Sequence, residues 1–228
     1  RAAAEDESVD IIVLRIDSPG GSAYGSDEIW ATIQEIRKTK PVYASMSDVA
    51  ASGGYYIAMA CDTIVAHPAT ITGSIGVIMA IPNVSGTLGK VGVTVDSVSL
   101  GASSNFLNPM LPYSEQDRKQ FRILGEGIYT RFVQKVADSR KKDFASTRQL
   151  ARGRVWTGEA ARSAGLVDVE GGLMDAIKLA KKRIGVDENT TVNLAFYPER
   201  IDNLSAIFKM FGLGNEDDES SNSRTALT

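Results

Sequence analysis

Short β-branched runs alternate with longer amphipathic stretches along this chain, and that alternation restricts the possible folds more than any other property. "DIIVLRI" (10–16) and "PVYASM" (41–46) are apolar without helical period and read as buried strands. Between them, "SDEIWATIQEIRK" places Ile29, Ile33 and Ile36 at helical spacing. "TIVAH" (63–67) and "SIGVIMAI" (74–81) read as a third and a fourth strand, and "VSGTLGKVGV" as a short helix leading into "VTVDSVSL". Alternation of this kind implies right-handed βαβ units and a mainly parallel sheet.

From Ser114 the pattern changes. Phe121, Leu124, Ile128, Phe132, Val133 and Val136 recur at spacings of three and four, predicting a long helix that "KKD" at 141–143 ends. Further helical pieces are expected over "TGEAARSAGLVDVEGG" (157–172) and "LMDAIKLAKKRIGV" (173–186). The last stretch, "GNEDDESSNSRTALT" (214–228), is acidic and serine-rich, with too little apolar surface to offset the entropy of ordering, and is expected to be disordered. Residues 1–213 are then one domain, large enough to bury a core without disulfides or metals. Its opening, "RAAAEDESVDIIVLRI", reads as a helix tail feeding straight into a strand, as in one half of a longer protein with an anchor or another domain beside it.

Some function classes are disfavoured at once. A net charge of -3 with no basic patch argues against nucleic acid. No apolar run reaches the ~18–20 residues that cross a bilayer, so any membrane attachment would run through a segment outside this chain. The single cysteine, Cys61, lies in an apolar stretch and reads as a small buried hydrophobe, since thiol chemistry needs an electropositive, accessible site.

The chemistry is concentrated in two glycine-rich loops. "DVAASGGYYIAMA" sets Ser52 among alanines and glycines just as a helix begins, where N–H groups are unpaired and the helix dipole is positive. Capping alone would explain a serine there. "DSPGGS" (17–22) tips the reading: Gly20 and Gly21 follow a strand and can turn their N–H groups towards a ligand. Both loops follow parallel strands, at the edge where ligands bind in such sheets. The N–H groups of Gly21 and Gly53 together would make an oxyanion hole for a nucleophilic Ser52.

"LRIDSPGGS", "MSDVAASGGYYIA", "ITGSIGV" and "GRVWTGEAARSAGLVD" together resemble signal peptide peptidase A, the protease IV family of the Clp/crotonase-like serine proteases. The similarity spans nearly all of residues 8–185, with four separated motifs in the right order. The resemblance implies a spiral of βαβ units and a membrane-tethered, ring-shaped peptidase that degrades leftover signal peptides. It implies a Ser/Lys dyad without metal or organic cofactor, with Ser52 as nucleophile and Gly21 as an oxyanion donor. By the same resemblance Ser74, in "TGSIG", is a support residue that orients the lysine amine; Gly20, read from the glycine pair itself, is a further support residue. The compartment implied is the bacterial envelope, on the periplasmic side of the inner membrane, or alternatively a plastid membrane.

The general base is the difficulty. His67 is the only histidine, fifteen residues past Ser52 and beyond a helix and a strand, so a Ser–His–Asp triad is disfavoured. In single-domain members of the resembling family the lysine comes about fifty residues after the serine, before "S-E-x-x-R". Here that stretch is "GASSNFLNPMLPYSEQDR", Ser104 stands where the lysine would be, and no lysine occurs between Lys90 and Lys119. Lys90 reads as a solvated helix end, and the lysines of 119–142 as solvated charge. The resemblance is therefore to the C-terminal, serine-bearing half of the double-length members, with the lysine supplied by an N-terminal half or a neighbouring subunit of an oligomer.

Trp156 reads as a core or subunit contact, Tyr55 and Tyr56 as groove or packing residues, and Asp17 and Asp48 as turn residues. Two other readings stay open: a catalytically silent scaffold half, and a crotonase-type acyl-CoA enzyme, which also uses paired backbone donors but needs no nucleophile.

Overall fold

The structure, a computed structural model, describes residues 1–101, 103–198 and 225–227. It is organised around β2 (Val42–Ala51). β1 (Ile12–Ser18) runs parallel along one edge of β2, from Ile12 opposite Val42 to Ser18 opposite Ala50. The other edge of β2 is divided. β3 (Thr63–Ala66) pairs with Tyr43–Ser45, and β4 (Ile71–Gly73) pairs with Val49–Ala51, both parallel. The sheet therefore curls, with β6 (Val169–Glu170) parallel outside β3 and β5 (Val155–Thr157) antiparallel outside β4. The result is a mixed α/β architecture with a mostly parallel sheet.

Val42 to Met46 are all buried, as in a strand covered on both faces. Val42, Ala44 and Met46 join Ile16, Ile64 and Tyr55 in the main core. On the other face, α8 (Leu173–Arg183) contacts β1, β2 and β3 and buries Ala176, Ile177 and Ala180. α2 (Ala23–Ile36), α3 (Gly53–Ala58) and the second half of α5 (Glu115–Arg140) close the main core. α5 starts in a reciprocal cap, Ser114 Oγ accepting from Asp117 N–H and the Asp117 carboxylate accepting from Ser114 N–H. It ends at Lys141, whose left-handed backbone (φ 51°) stops the helix where the "KKD" run predicts. The smaller elements are α1 (Ala2–Glu5), α4 (Ser85–Lys90), α6 (Phe144–Leu150), α7 (Gly158–Ser163) and the pair β7 (Val192–Leu194) and β8 (Thr225–Leu227). Of the tail expected to be disordered over 214–228, only the residues of β8 are described; the remainder lies outside the described residues.

Several sequence expectations are corrected. β2 does not stop at Met46 but runs to Ala51, delivering the chain straight to Ser52. The fourth strand is Ile71–Gly73, not 74–81, because Gly73 (φ 74°) and Ser74 (φ 49°) leave the extended region and stop it. "VTVDSVSL" is irregular, with Val98 and Leu100 almost wholly exposed. The helix expected over 157–172 is only Gly158–Ser163, because the following turn leads into β6. The apolar stripe of α5 is buried at Phe132, Val133 and Val136, while Leu124 nearer its start is exposed. Asp17 and Asp48 lie within β1 and β2 rather than in turns.

Candidate active site

β1 and β2 run side by side and end together, so the loops that follow them are forced into contact. The first loop carries Gly20 and Gly21, at φ 118° and 151°, and then enters α2 at its N-cap, Ser22. The second is the single residue Ser52, which turns β2 into α3 at φ 51° and ψ −116°. A conformation of that kind costs an L-residue about 1–3 kcal/mol and persists only where neighbours fix it.

The small residues around Ser52 are explained by this crowding. A methyl on Gly20 would stand 2.8 Å from Ser52 Cβ and 3.1 Å from its Oγ. A methyl on Gly53 would stand 2.5 Å from Ser26 Oγ, 3.3 Å from Gly20 Cα and 3.3 Å from Gly21 N. The backbones of the two loops thus touch, which no larger residue permits.

Hydrogen bonding separates what is engaged from what is available. Ser52 N–H donates to Gly73 O at 2.9 Å, and Ser52 O accepts from Tyr56 N–H at 2.9 Å. Its hydroxyl caps nothing, so the capping role that could explain a serine here is not the one it fills. Among the described residues, neither Gly21 N–H nor Gly53 N–H donates a hydrogen bond. A half-buried hydroxyl and two unengaged N–H donors therefore share one short stretch of sheet edge.

Ser74 is brought to the same place. Ala51 pairs with Gly73, so Ser74 lies beside Ser52, one step beyond the end of each strand. Its N–H donates to Arg154 O at 2.8 Å, which ties the turn to the loop before β5.

Among the described residues no base is hydrogen-bonded to the Ser52 hydroxyl. The register that sets Ser45 opposite Val65 puts His67 level with Ser47, five residues back along β2, on the order of 16 Å from Ser52 at the rise of a strand. His67 is exposed, and its Nδ1 accepts from Ala69 N–H at 3.2 Å. Lys90 is exposed at the end of α4. Ser104 is exposed in a turn, where its hydroxyl donates to the carbonyls of Leu100 and Gly101. Among the described residues no three His, Cys, Asp or Glu side chains are grouped to hold a metal ion.

The tyrosines after Ser52 are packing residues. Tyr55 is fully buried and donates to Leu166 O at 2.9 Å; burial pushes its pKa up despite the charge of Arg140, which forms an ion pair with Asp168. Tyr56 donates to Asp27 Oδ1 at 2.6 Å. Trp156 packs against the main core and donates to Leu150 O at 3.1 Å. Cys61 is buried, and that burial pushes its thiol up to about 12.

One expectation about the lysines of 119–142 fails. The Lys135 side chain is 18% exposed, forms an ion pair with Asp27 and lies 3.5 Å from the centroid of the Trp30 ring. Its place beside the buried positions Phe132 and Val136 was the available sign that it is not a solvated charge.

Comparison with known proteins bears on this site. The profile of peptidase family S49 matches residues 34–187. A chloroplastic serine protease SPPA of Arabidopsis thaliana is 41% identical over 195 residues, covering 85% of this chain and 29% of that protein. A putative signal peptide peptidase SppA of Enterococcus faecium is 39% identical over 189 residues, covering 82% of this chain and 55% of that protein. Protease 4 of Salmonella typhi is 40% identical over 181 residues, covering 79% of this chain and 29% of that protein. The chain thus spans from under a third to about half of the length of these relatives.

Proposed function

Because the chain belongs to peptidase family S49 and is a serine peptidase, we propose that Ser52 is its nucleophile and that Gly21 and Gly53 supply the oxyanion hole. The observation that carries this reading is the unengaged pair of N–H groups beside an uncapped serine in a strained turn. Ser52 Oγ attacks the scissile carbonyl carbon, and its proton passes to a neutral amine. The carbonyl oxygen, now negative, is held by Gly21 and Gly53 N–H, each such donor being worth about 10²–10³ in kcat. The amine returns the proton to the leaving nitrogen, and water hydrolyses the acyl-enzyme.

The amine comes from a lysine of another domain or neighbouring subunit, its pKa lowered from about 10.4 by burial. Ser74, beside Ser52, orients it. Its approach is over the 78–110 segment, where Ile78, Val98 and Leu100 are 98%, 101% and 95% exposed. Side chains of that size gain about 1.5–3 kcal/mol each when covered, so a partner has reason to sit there.

The proposed substrates are cleaved signal peptides, bound extended along the strand edges with main-chain hydrogen bonds. The proposed architecture is the Clp/crotonase-like spiral, assembled as a homo-oligomer at a bacterial inner membrane or a plastid membrane. Among the described residues no helix is long and apolar enough to cross a membrane; the proposed attachment is through a segment outside the chain.

The test is peptide-ester hydrolysis by residues 1–228 with and without a lysine-bearing partner half. The proposal predicts negligible turnover alone and turnover on addition. Full turnover by the lone chain would overturn the external base. No turnover and no serine labelling in the complete assembly would favour the silent scaffold.

A further inference from the structure

We propose that Asp27, Tyr56 and Lys135 form a clamp that holds the strained Ser52 turn against the Gly20–Gly21 loop, making them positioning residues for acyl transfer. The inference rests on the reading of Ser52 as the nucleophile.

α2 and α3 both start in the site, one from Ser22 after the glycines and the other from Ser52. Their first turns press together where Gly53 faces Ser26. One residue further along α2 is Asp27, and one turn along α3 is Tyr56, whose hydroxyl donates to Asp27 Oδ1 at 2.6 Å. The Tyr56 N–H is also the group that binds Ser52 O. α5 completes the junction. Lys135 pairs with the same Asp27 oxygen, stands 3.5 Å from the Trp30 ring centroid and 5.3 Å from that of Tyr56, and Phe132, one turn earlier, packs on Tyr56 at 4.7 Å between centroids. Three helices therefore converge on one carboxylate oxygen.

A charged pair is a costly way to join helices, because apolar side chains would do so without desolvating ions. What it adds is a fixed register. A single oxygen that must meet both a phenol and an ammonium sets the rotation of α3 against α2 more narrowly than apolar contacts do. That rotation is the motion by which the turn at Ser52 would relax out of its φ 51° conformation and draw Gly53 N–H away from Gly21. Burial raises the Asp27 pKa, but hydrogen bonds from Lys135 and Tyr56 and the charges of Lys135 and Arg131 outweigh it, so the carboxylate stays ionised. Tyr56 is pushed up, by burial first and then by Asp27, and stays a donor.

The experiment compares Tyr56→Phe, Lys135→Met and Lys135→Arg in the intact protein, reading backbone amide exchange by mass spectrometry together with kcat and KM for a peptide ester. Tyr56→Phe removes one hydroxyl and leaves the ion pair, so it keeps the test sound if Lys135→Met folds poorly. The clamp predicts faster exchange confined to 19–23 and 50–56. It predicts kcat lower by about 10- to 100-fold with KM little changed, as for a sub-ångström misplacement, and partial rescue in Lys135→Arg. Exchange unchanged in those loops, or raised equally throughout the chain, would overturn it. The exchange readout does not depend on which serine reacts, so failure of the Ser52 assignment would show separately as turnover surviving Ser52→Ala.

Discussion

Gly53→Ala is informative because elementary propensity and the site geometry predict opposite signs. Gly53 opens α3 with an ordinary negative φ, so alanine there should stabilise the chain by about 0.5–1 kcal/mol. The methyl, however, would stand 2.5 Å from Ser26 Oγ. Overpacking of this kind costs about 1–3 kcal/mol, and a net destabilisation of about 1–2 kcal/mol is expected. Ser26→Ala alone removes a 2.9 Å hydrogen bond to Ser22 O and should cost about 1 kcal/mol. In the double variant the clashing oxygen is gone while contacts at 3.3 Å to Gly20 Cα and Gly21 N remain, so most of the Gly53→Ala penalty should disappear. Urea unfolding of the four proteins then gives a favourable coupling of about 1–2 kcal/mol. Additivity within about 0.5 kcal/mol would refute the claimed contact between the first turns of α2 and α3.

Three further outcomes follow from the same geometry. Ser52→Gly should abolish turnover yet raise stability by about 1–2 kcal/mol in thermal unfolding, since glycine relieves the positive φ. Asp27 faces Lys135 and Arg131 from α5 and Tyr56 from α3, and its lowered pKa fixes the sign of its pH effect. Its contribution is complete above the unfolded carboxylate pKa near 3.9 and is lost as pH falls through the folded value, so Asp27→Asn should be less stable than the parent at pH 7, with the gap closing on acidification. Cys61, buried with its thiol pushed up to about 12, should resist alkylation at pH 8 until urea unfolds the chain.

What could be read from the sequence was local. The two glycine loops announced themselves because crowding of backbones admits only small residues, and the composition of "DSPGGS" and "AASGG" records that crowding directly. The buried character of β1 and β2 was legible for the same reason, as uninterrupted apolar runs. The end of β4 was not, because "SIGVIMAI" is apolar enough for a strand and only the positive φ values at Gly73 and Ser74 stop it. For Lys135 only partial burial was signalled, by its neighbours Phe132 and Val136; its partners were not, because Trp30 and Asp27 reach it from α2, far earlier in the chain. Nor was the exposure of Val98 and Leu100, which runs against their hydrophobicity and which nothing in "VTVDSVSL" announces.

The most direct measurement is the site of covalent capture by a peptidyl phosphonate in the assembled protein, mapped by mass spectrometry of the digested adduct. One adduct is expected, on Ser52, lost in Ser52→Ala and slowed about 10²-fold or more when the lysine-bearing partner is left out. An adduct on another serine, or capture at full rate by residues 1–228 alone, would contradict it.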